Sequence, residues 1–267
     1  MMIPEILTYE FMQRALLGGL LIGVSTALIG VFLVLKRLSL LGDSFAHASF
    51  GGIALGFVLN INPILTAIVF VTFASLGIDK LINKAKLYGE SAIALILSFG
   101  MAFAIVLIGA TNKLDVNIFS YLFGSILTIS ETDLMISGAV LFLILTFYKL
   151  SYKKLVYSTF NNDVARVRFS QTDLINKIFI VLSAITIVIA TRAVGILLIS
   201  ALIVIPSLIA LNLSKSFKQT LVYASIASVI GIYLGIFFAY FFDLPAGGTI
   251  VLSLLGLFLI SLLFKRN

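Results

Sequence analysis

Asp43 and His47 stand four residues apart in Gly42-Asp43-Ser44-Phe45-Ala46-His47, and His47 is the chain's only histidine. On a helix two such side chains lie about 40° apart in projection, one turn above the other. A carboxylate and an imidazole on one stripe make half of a site for a borderline divalent cation such as Zn²⁺ or Mn²⁺. Two ligands are too few to hold a cation tightly. Two copies of the chain meeting on this face would supply four, Asp43 and His47 from each. The same pair also fits a proton relay. It fits a structural role as well, with Asp43 capping the helix and His47 bonded to a backbone carbonyl or to Asp43. Gly52 and Gly56 fall on the far side of the same wheel, at about 180° and 220° from Asp43, where close helix packing would use them.

Other chemistries lack their residues. Cysteine is absent, which excludes disulfides, iron–sulfur clusters and thiolate metal sites. No Gly-rich loop ending in Lys-Ser/Thr occurs, so any ATP hydrolysis belongs to a separate polypeptide. Other acids have edge or loop roles: Glu90 ahead of an apolar run, Asp133 three residues after Ser130 in a capping-box pattern, and Asp243 two before Pro245 in a turn. Asp163 and Asp173 lie in a polar loop. One histidine and no second acid beside Asp43 leave too little for an intramembrane enzyme.

The elements that must carry Asp43 and His47 are membrane helices. Of the 267 residues 61% are hydrophobic and only 11% charged, against about 25% charged in an average soluble domain. Mean hydropathy is +1.21. A soluble enzyme, a disordered regulator and a nucleic-acid binder are excluded as readings of the whole chain. The fold class is an all-α polytopic transmembrane bundle forming a single domain over residues 1–267. Hydrophobic runs predict nine spans: Ala15–Leu35, Ser44–Asn60, Pro63–Ile78, Ser91–Ala110, Leu134–Tyr148, Leu174–Ala190, Val194–Leu213, Thr220–Phe242 and Thr249–Phe264. The connections at Asn60–Pro63 and Arg192-Ala193 are short enough to join antiparallel neighbours or to break one helix, which would leave eight. The first run is too long for a signal-peptide core and reads as a retained span.

Lys and Arg number 18 against 11 Asp and Glu, and their distribution orients the spans. With the N-terminus outside and nine alternating spans, every Lys and Arg except Arg14, Lys113 and Arg192 falls on the cytoplasmic side, as does the C-terminus. Two loops are more than connectors. Ile118–Ile129, on the outside, is apolar but too short to cross and predicts a re-entrant or interfacial half-helix. Residues 151–173, on the inside, form the longest polar stretch and predict a short surface helix. Gly19/Gly23, Gly52/Gly56 and Gly231/Gly235 predict close helix crossings. Pro206 predicts a kink in its span.

The chain resembles the permease subunits of bacterial and archaeal ABC uptake transporters for zinc, manganese and iron. The resemblance rests on Lys36-Arg37-Leu38-Ser39-Leu40-Leu41-Gly42-Asp43-Ser44-Phe45-Ala46-His47-Ala48 and on Glu90-Ser91-Ala92-Ile93. It continues through Val194-Gly195 to Ala201-Leu202-Ile203-Val204-Ile205-Pro206, and through Asp243-Leu244-Pro245-Ala246-Gly247-Gly248-Thr249-Ile250-Val251. It implies a fold similar to vitamin B12 importers and a pathway between two permeases. It also implies two ATP-binding subunits on the cytoplasmic side and an extracytoplasmic metal-binding protein. Asp43 and His47 become the pathway ligands for the transported Zn²⁺, Mn²⁺ or Fe²⁺, with no tightly bound cofactor. The loop at 151–173 becomes the coupling segment that meets the ATPase, with Asn161, Asp163, Ala165 and Arg166 matching the family's acidic-x-x-x-Ala pattern loosely; Phe169 stands where a glycine is usual.

Overall fold

A computed structural model describes residues 8–83, 88–111 and 121–264. Lys84, Lys86, Lys113, Lys265 and Arg266, and the first residues of Ile118–Ile129, lie outside the described residues. The described chain is helical throughout, with no strand. Its elements are α1 (Glu10–Leu35), α2 (Leu41–Leu59), α3 (Pro63–Asn83), α4 (Gly89–Thr111), a 3₁₀ turn (Ile126–Thr128), α5 (Glu131–Phe160), the short α6 (Asn162–Arg168) and α7 (Thr172–Val194). A second 3₁₀ turn (Ile196–Leu198), α8 (Ile199–Leu213), α9 (Phe217–Phe242) and α10 (Ala246–Leu263) complete it.

Seven helices are long and apolar enough to cross a membrane: α1, α4, α5, α7, α8 with the turn before it, α9 and α10. The chain is therefore a multi-pass membrane protein. The two further expected spans are helical but do not reach that mark. The apolar run of α3, Pro63–Ile78, is shorter, and α2 carries Asp43 and His47 within its 19 residues. In the loop before α5, residues 121–123 are helical and the 3₁₀ turn at Ile126 follows.

α1 is the hub, packed against α5, α7, α8 and α9. Lipid supplies no hydrophobic drive between helices, so association depends on close fit. Gly19 and Gly23 leave room for Ile232 of α9, and Gly231 and Gly235 leave room for Leu254 and Ile250 of α10; a Cβ at any of the four would sit within 2.9 Å of those side chains. Phe32, fully buried, gathers the rings of Tyr148, Phe179 and Phe217 at 5.0–5.8 Å. The Tyr148 hydroxyl donates to the Leu28 carbonyl at 2.9 Å, which satisfies the one polar atom this cluster buries. Pro206 stands inside α8.

α2, α3 and α4 form a second group, joined to the first through α3 and α7. Gly52 abuts the Ala67 backbone of α3, and Gly100 of α4 abuts Ala48 of α2; a Cβ on either glycine would lie 2.5 Å from the facing Cα. The glycines predicted for close packing pack closely.

One end of the bundle is tied by ion pairs. Arg192 on α7 donates to Asp133 at 3.1 Å and lies over the Tyr121 ring at 5.1 Å. Asp133 also accepts from the Ser130 backbone N–H at 3.0 Å, and the Ser130 side chain accepts from the Asp133 N–H, so the expected capping box is present. Arg14 pairs with Glu131 at 2.9 Å and also with Glu10. Beside this network Gly124 (φ +66°) and Gly195 (φ +84°) touch backbone to backbone. A Cβ at Gly195 would fall 2.3 Å from the Leu122 carbonyl. Gly195 has ψ 165°, a region open in practice only to glycine, so the Val194-Gly195 motif breaks α7 from α8 at a fixed place. Gly247 seats α10 on the same crossing, where a Cβ would lie 2.8 Å from the Phe123 and Val194 carbonyls. Asp243 takes the left-handed cap of α9 at φ 51°, a conformation Asp tolerates better than most residues. The Asp-x-Pro-Ala-Gly segment is thus a cap, a helix start and a close approach.

Candidate functional site

α2 is sheathed by its neighbours. From Leu41 to Ala54 every residue is buried except two, Asp43 and His47. The reason lies in the small residues around them. Gly42, Ala46, Ala48, Gly51 and Gly52 let α3, α4 and α8 press against the helix, and Ser44 donates to the Ile93 carbonyl of α4 at 3.0 Å. That bond also places the Glu90-Ser91-Ala92-Ile93 motif against α2. Asp43 and His47 form the remaining opening, one turn apart on one stripe. A carboxylate turned to lipid would be costly; an opening lined by an acid and an imidazole belongs on an aqueous path or a subunit contact.

The stripe lies well inside the bundle. The His47 carbonyl is against Gly100, midway along α4, where a Cβ on Gly100 would stand 2.9 Å from it. Asp43 accepts a hydrogen bond from the Ser200 hydroxyl, in the first turn of α8. α2 starts from the end where α1 finishes, whereas α8 starts from the opposite end, just past the Gly195 crossing. Their first turns can meet only at depth. The positive ends of both helices therefore converge near the Asp43 carboxylate. Gly42 makes the meeting possible, since a Cβ there would press on the Ser200 Oγ and on Ile203 at 3.2 Å.

Asp43 does not cap its helix. Leu40 holds the N-cap position, and it makes no side-chain cap bond. The Nδ1 of His47 is buried and has no hydrogen-bond partner. A buried ring nitrogen without a partner is costly, and that lone pair or proton is what a ligand or substrate would use. Among the described residues no three His, Cys, Asp or Glu side chains cluster closely enough to hold a metal ion.

The residues expected at the coupling segment separate into two groups. Asn161 caps α6, its Oδ1 accepting from the N–H groups of Asp163 and Val164 at 3.1 Å each. Ala165 is fully buried, and its carbonyl accepts from Thr172 at 2.9 Å. Arg166 pairs with Asp173 of α7 at 2.8 Å. These three fasten α6 to its neighbours; Asn161, Asp163 and Arg166 all keep exposed surface, and only Ala165 of the four is buried. Exposed apolar residues stand among them: Val167 is 92% exposed, Phe160 68% and Val164 50%. Sequence reading missed these residues and Ser200. The only signal for Ser200 was a hydroxyl inside an otherwise apolar run; for Val167, an unburied valine in a polar loop.

Comparison with known proteins follows this geometry. The model of the ABC 3 transport family matches residues 8–265. The manganese import system permease protein ScaB of Streptococcus gordonii is 32% identical over 253 residues, covering 95% of this chain and 91% of that protein. The high-affinity zinc uptake system membrane protein ZnuB of Haemophilus influenzae is 28% identical, covering 97% and 99%. Among solved structures, PsaBC from Streptococcus pneumoniae in complex with Fab superposes with a TM-score of 0.86 at 31% identity, covering 97% of this chain and 95% of that one.

Proposed function

Since the chain belongs to the ABC 3 transport family, we propose that it is the permease subunit of an ATP-driven importer of a divalent metal ion, manganese, zinc or iron. Two copies form the pathway. Two ATP-binding subunits act from the cytoplasmic side, an extracytoplasmic metal-binding protein delivers the ion, and this chain itself is not an enzyme. The N-terminus is outside and the C-terminus cytoplasmic, in keeping with the positive residues that collect where α1, α3 and α5 end.

The observation that carries the reading is the sheath around α2 from Leu41 to Ala54, open over that stretch only at Asp43 and His47. The ion is the substrate. Asp43 offers a carboxylate oxygen already oriented by Ser200, His47 offers a ring nitrogen, and the second copy repeats the pair. Four oxygen and nitrogen donors without thiolate hold a borderline cation and still release it. Closure of the ATPases reaches the spans through α6, which docks by its Val164 and Val167 together with Phe160 at the end of α5, while Asn161, Ala165 and Arg166 make it move with α5 and α7.

Reconstitution of the permease with its ATP-binding subunit in vesicles tests this. Uptake of radioactive manganese or zinc should require both ATP and that subunit and should be indifferent to a protonophore. Uptake driven by a proton gradient without the subunit would instead establish Asp43–His47 as a proton relay.

Ser200→Ala should raise the half-saturating metal concentration by roughly 10- to 100-fold, the usual cost of losing a group that orients a ligand, with little change in maximal rate. Ser200→Thr, which keeps the hydroxyl, should restore most of it. Equal half-saturation in wild type and Ser200→Ala would mean that Asp43 is oriented without this bond.

A further inference from the structure

At the end of the bundle where α1, α3 and α5 finish and α7 begins lies an open pocket of about 1090 Å³. Cations from four places line it: Lys36 and Arg37 just after α1, Lys80 near the end of α3, Arg166 on α6 and Lys177 on α7. Asp173, paired with Arg166, is the one carboxylate among the described lining residues. Positive charge is therefore in excess, and it converges from separate helices on one concavity.

Lys36 makes that excess structural. Its ammonium is partly buried and donates to two neutral oxygens, Ser158 Oγ at 3.0 Å and Asn176 Oδ1 at 3.1 Å. Burial pushes it down to about 8, so near pH 7 it is still mostly charged. An ammonium held among neutral acceptors gains from a nearby anion. Part of the wall is polar and neutral, as at Thr159 and Asn162, and one side is apolar, from Leu35, Leu76 and Ile180, with Leu76 open to the surroundings. A cationic floor joined to an apolar rim at the edge of the spans matches an amphiphile with a phosphate head.

We propose that this pocket binds the phosphate headgroup of an anionic phospholipid. The apolar rim favours a lipid over soluble phosphate, because chains leaving the headgroup can run along Leu76 of α3 into the bilayer. Its assignment to the cytoplasmic leaflet rests on the orientation proposed above; the chemistry of the pocket does not.

The test uses the transporter in nanodiscs of phosphatidylcholine mixed equally with phosphatidylglycerol, followed by native mass spectrometry of the lipids that stay bound. Wild type should retain phosphatidylglycerol in preference to phosphatidylcholine, and inorganic phosphate should not displace it. Arg37→Asn combined with Lys80→Gln should weaken retention about fivefold for each cation removed. Asn is chosen because Arg37 has φ 59°, which Asn tolerates. If that double variant fails to fold, Lys80→Gln alone should show the fivefold loss. Equal retention of both lipids, undiminished retention by the variants, or displacement by inorganic phosphate would each overturn the proposal. So would loss of the lipid whenever the ATP-binding subunit is present, which would give the pocket to that subunit. Metal uptake is not read, so failure here leaves the transport reading standing.

Discussion

Asp43→Ala and His47→Ala should each abolish ATP-dependent metal uptake while leaving the protein inserted and assembled with its ATPase. In the proposed two-copy pathway each substitution removes two of the four donors at once. The loss should exceed the roughly 10- to 100-fold that follows removal of a group merely supporting a ligand. Stability should suffer little, since these two are the residues of α2 between Leu41 and Ala54 that the bundle leaves unburied. Asp43→Asn is the sharper variant. It keeps the size and a hydrogen-bond acceptor for Ser200 but discards the charge that holds the cation. Uptake assays at several metal concentrations, with membrane content and ATPase co-purification as controls, read the result. Wild-type accumulation in Asp43→Asn and His47→Ala would remove both residues from the pathway.

The second large effect is expected at α6. Val167→Asp should strip the ATP-binding subunit from the purified permease and stop transport without touching the metal site. Val167 is almost wholly exposed, beside the exposed Phe160 and Val164. Burying a valine against a partner is worth about 1.5–3 kcal/mol, and an unpaired carboxylate in its place adds a penalty of several kcal/mol. Together these should weaken the association by about 100-fold or more. Val167→Ala should be milder. The contrast to look for is with Ala165→Leu, which should lower thermal stability because Ala165 has no free surface. Retention of the ATPase by Val167→Asp, with normal uptake, would move the docking face off α6.

Both predictions turn on which side of a helix a residue faces, and the sequence settled this unevenly. For α2 the periodicity alone put Asp43 and His47 on one stripe and Gly52 and Gly56 on the other, because a regular helix repeats every 3.6 residues. For α6 seven residues carry no usable period. The motif drew attention to Asn161, Asp163, Ala165 and Arg166, three of which anchor the helix, while the exposed apolar surface belongs to Val164 and Val167. Short amphipathic signals cannot be read until the surface beneath them is known.

The amino-acid sequence by itself determined that the chain is a helical membrane bundle, where most helices run, and that one acid and one imidazole share a stripe. Those properties follow from local composition and spacing, which bilayer thickness and helical repeat translate directly into structure. Only the tertiary structure decided the depth of that stripe, its pairing with Ser200 across 157 positions of chain, and the convergence of Lys36, Arg37, Lys80, Arg166 and Lys177 on one pocket. Each of these depends on which helices meet and at what height. In lipid that is set by backbone contacts at glycines such as Gly42, Gly100 and Gly195 rather than by any pattern along a single segment.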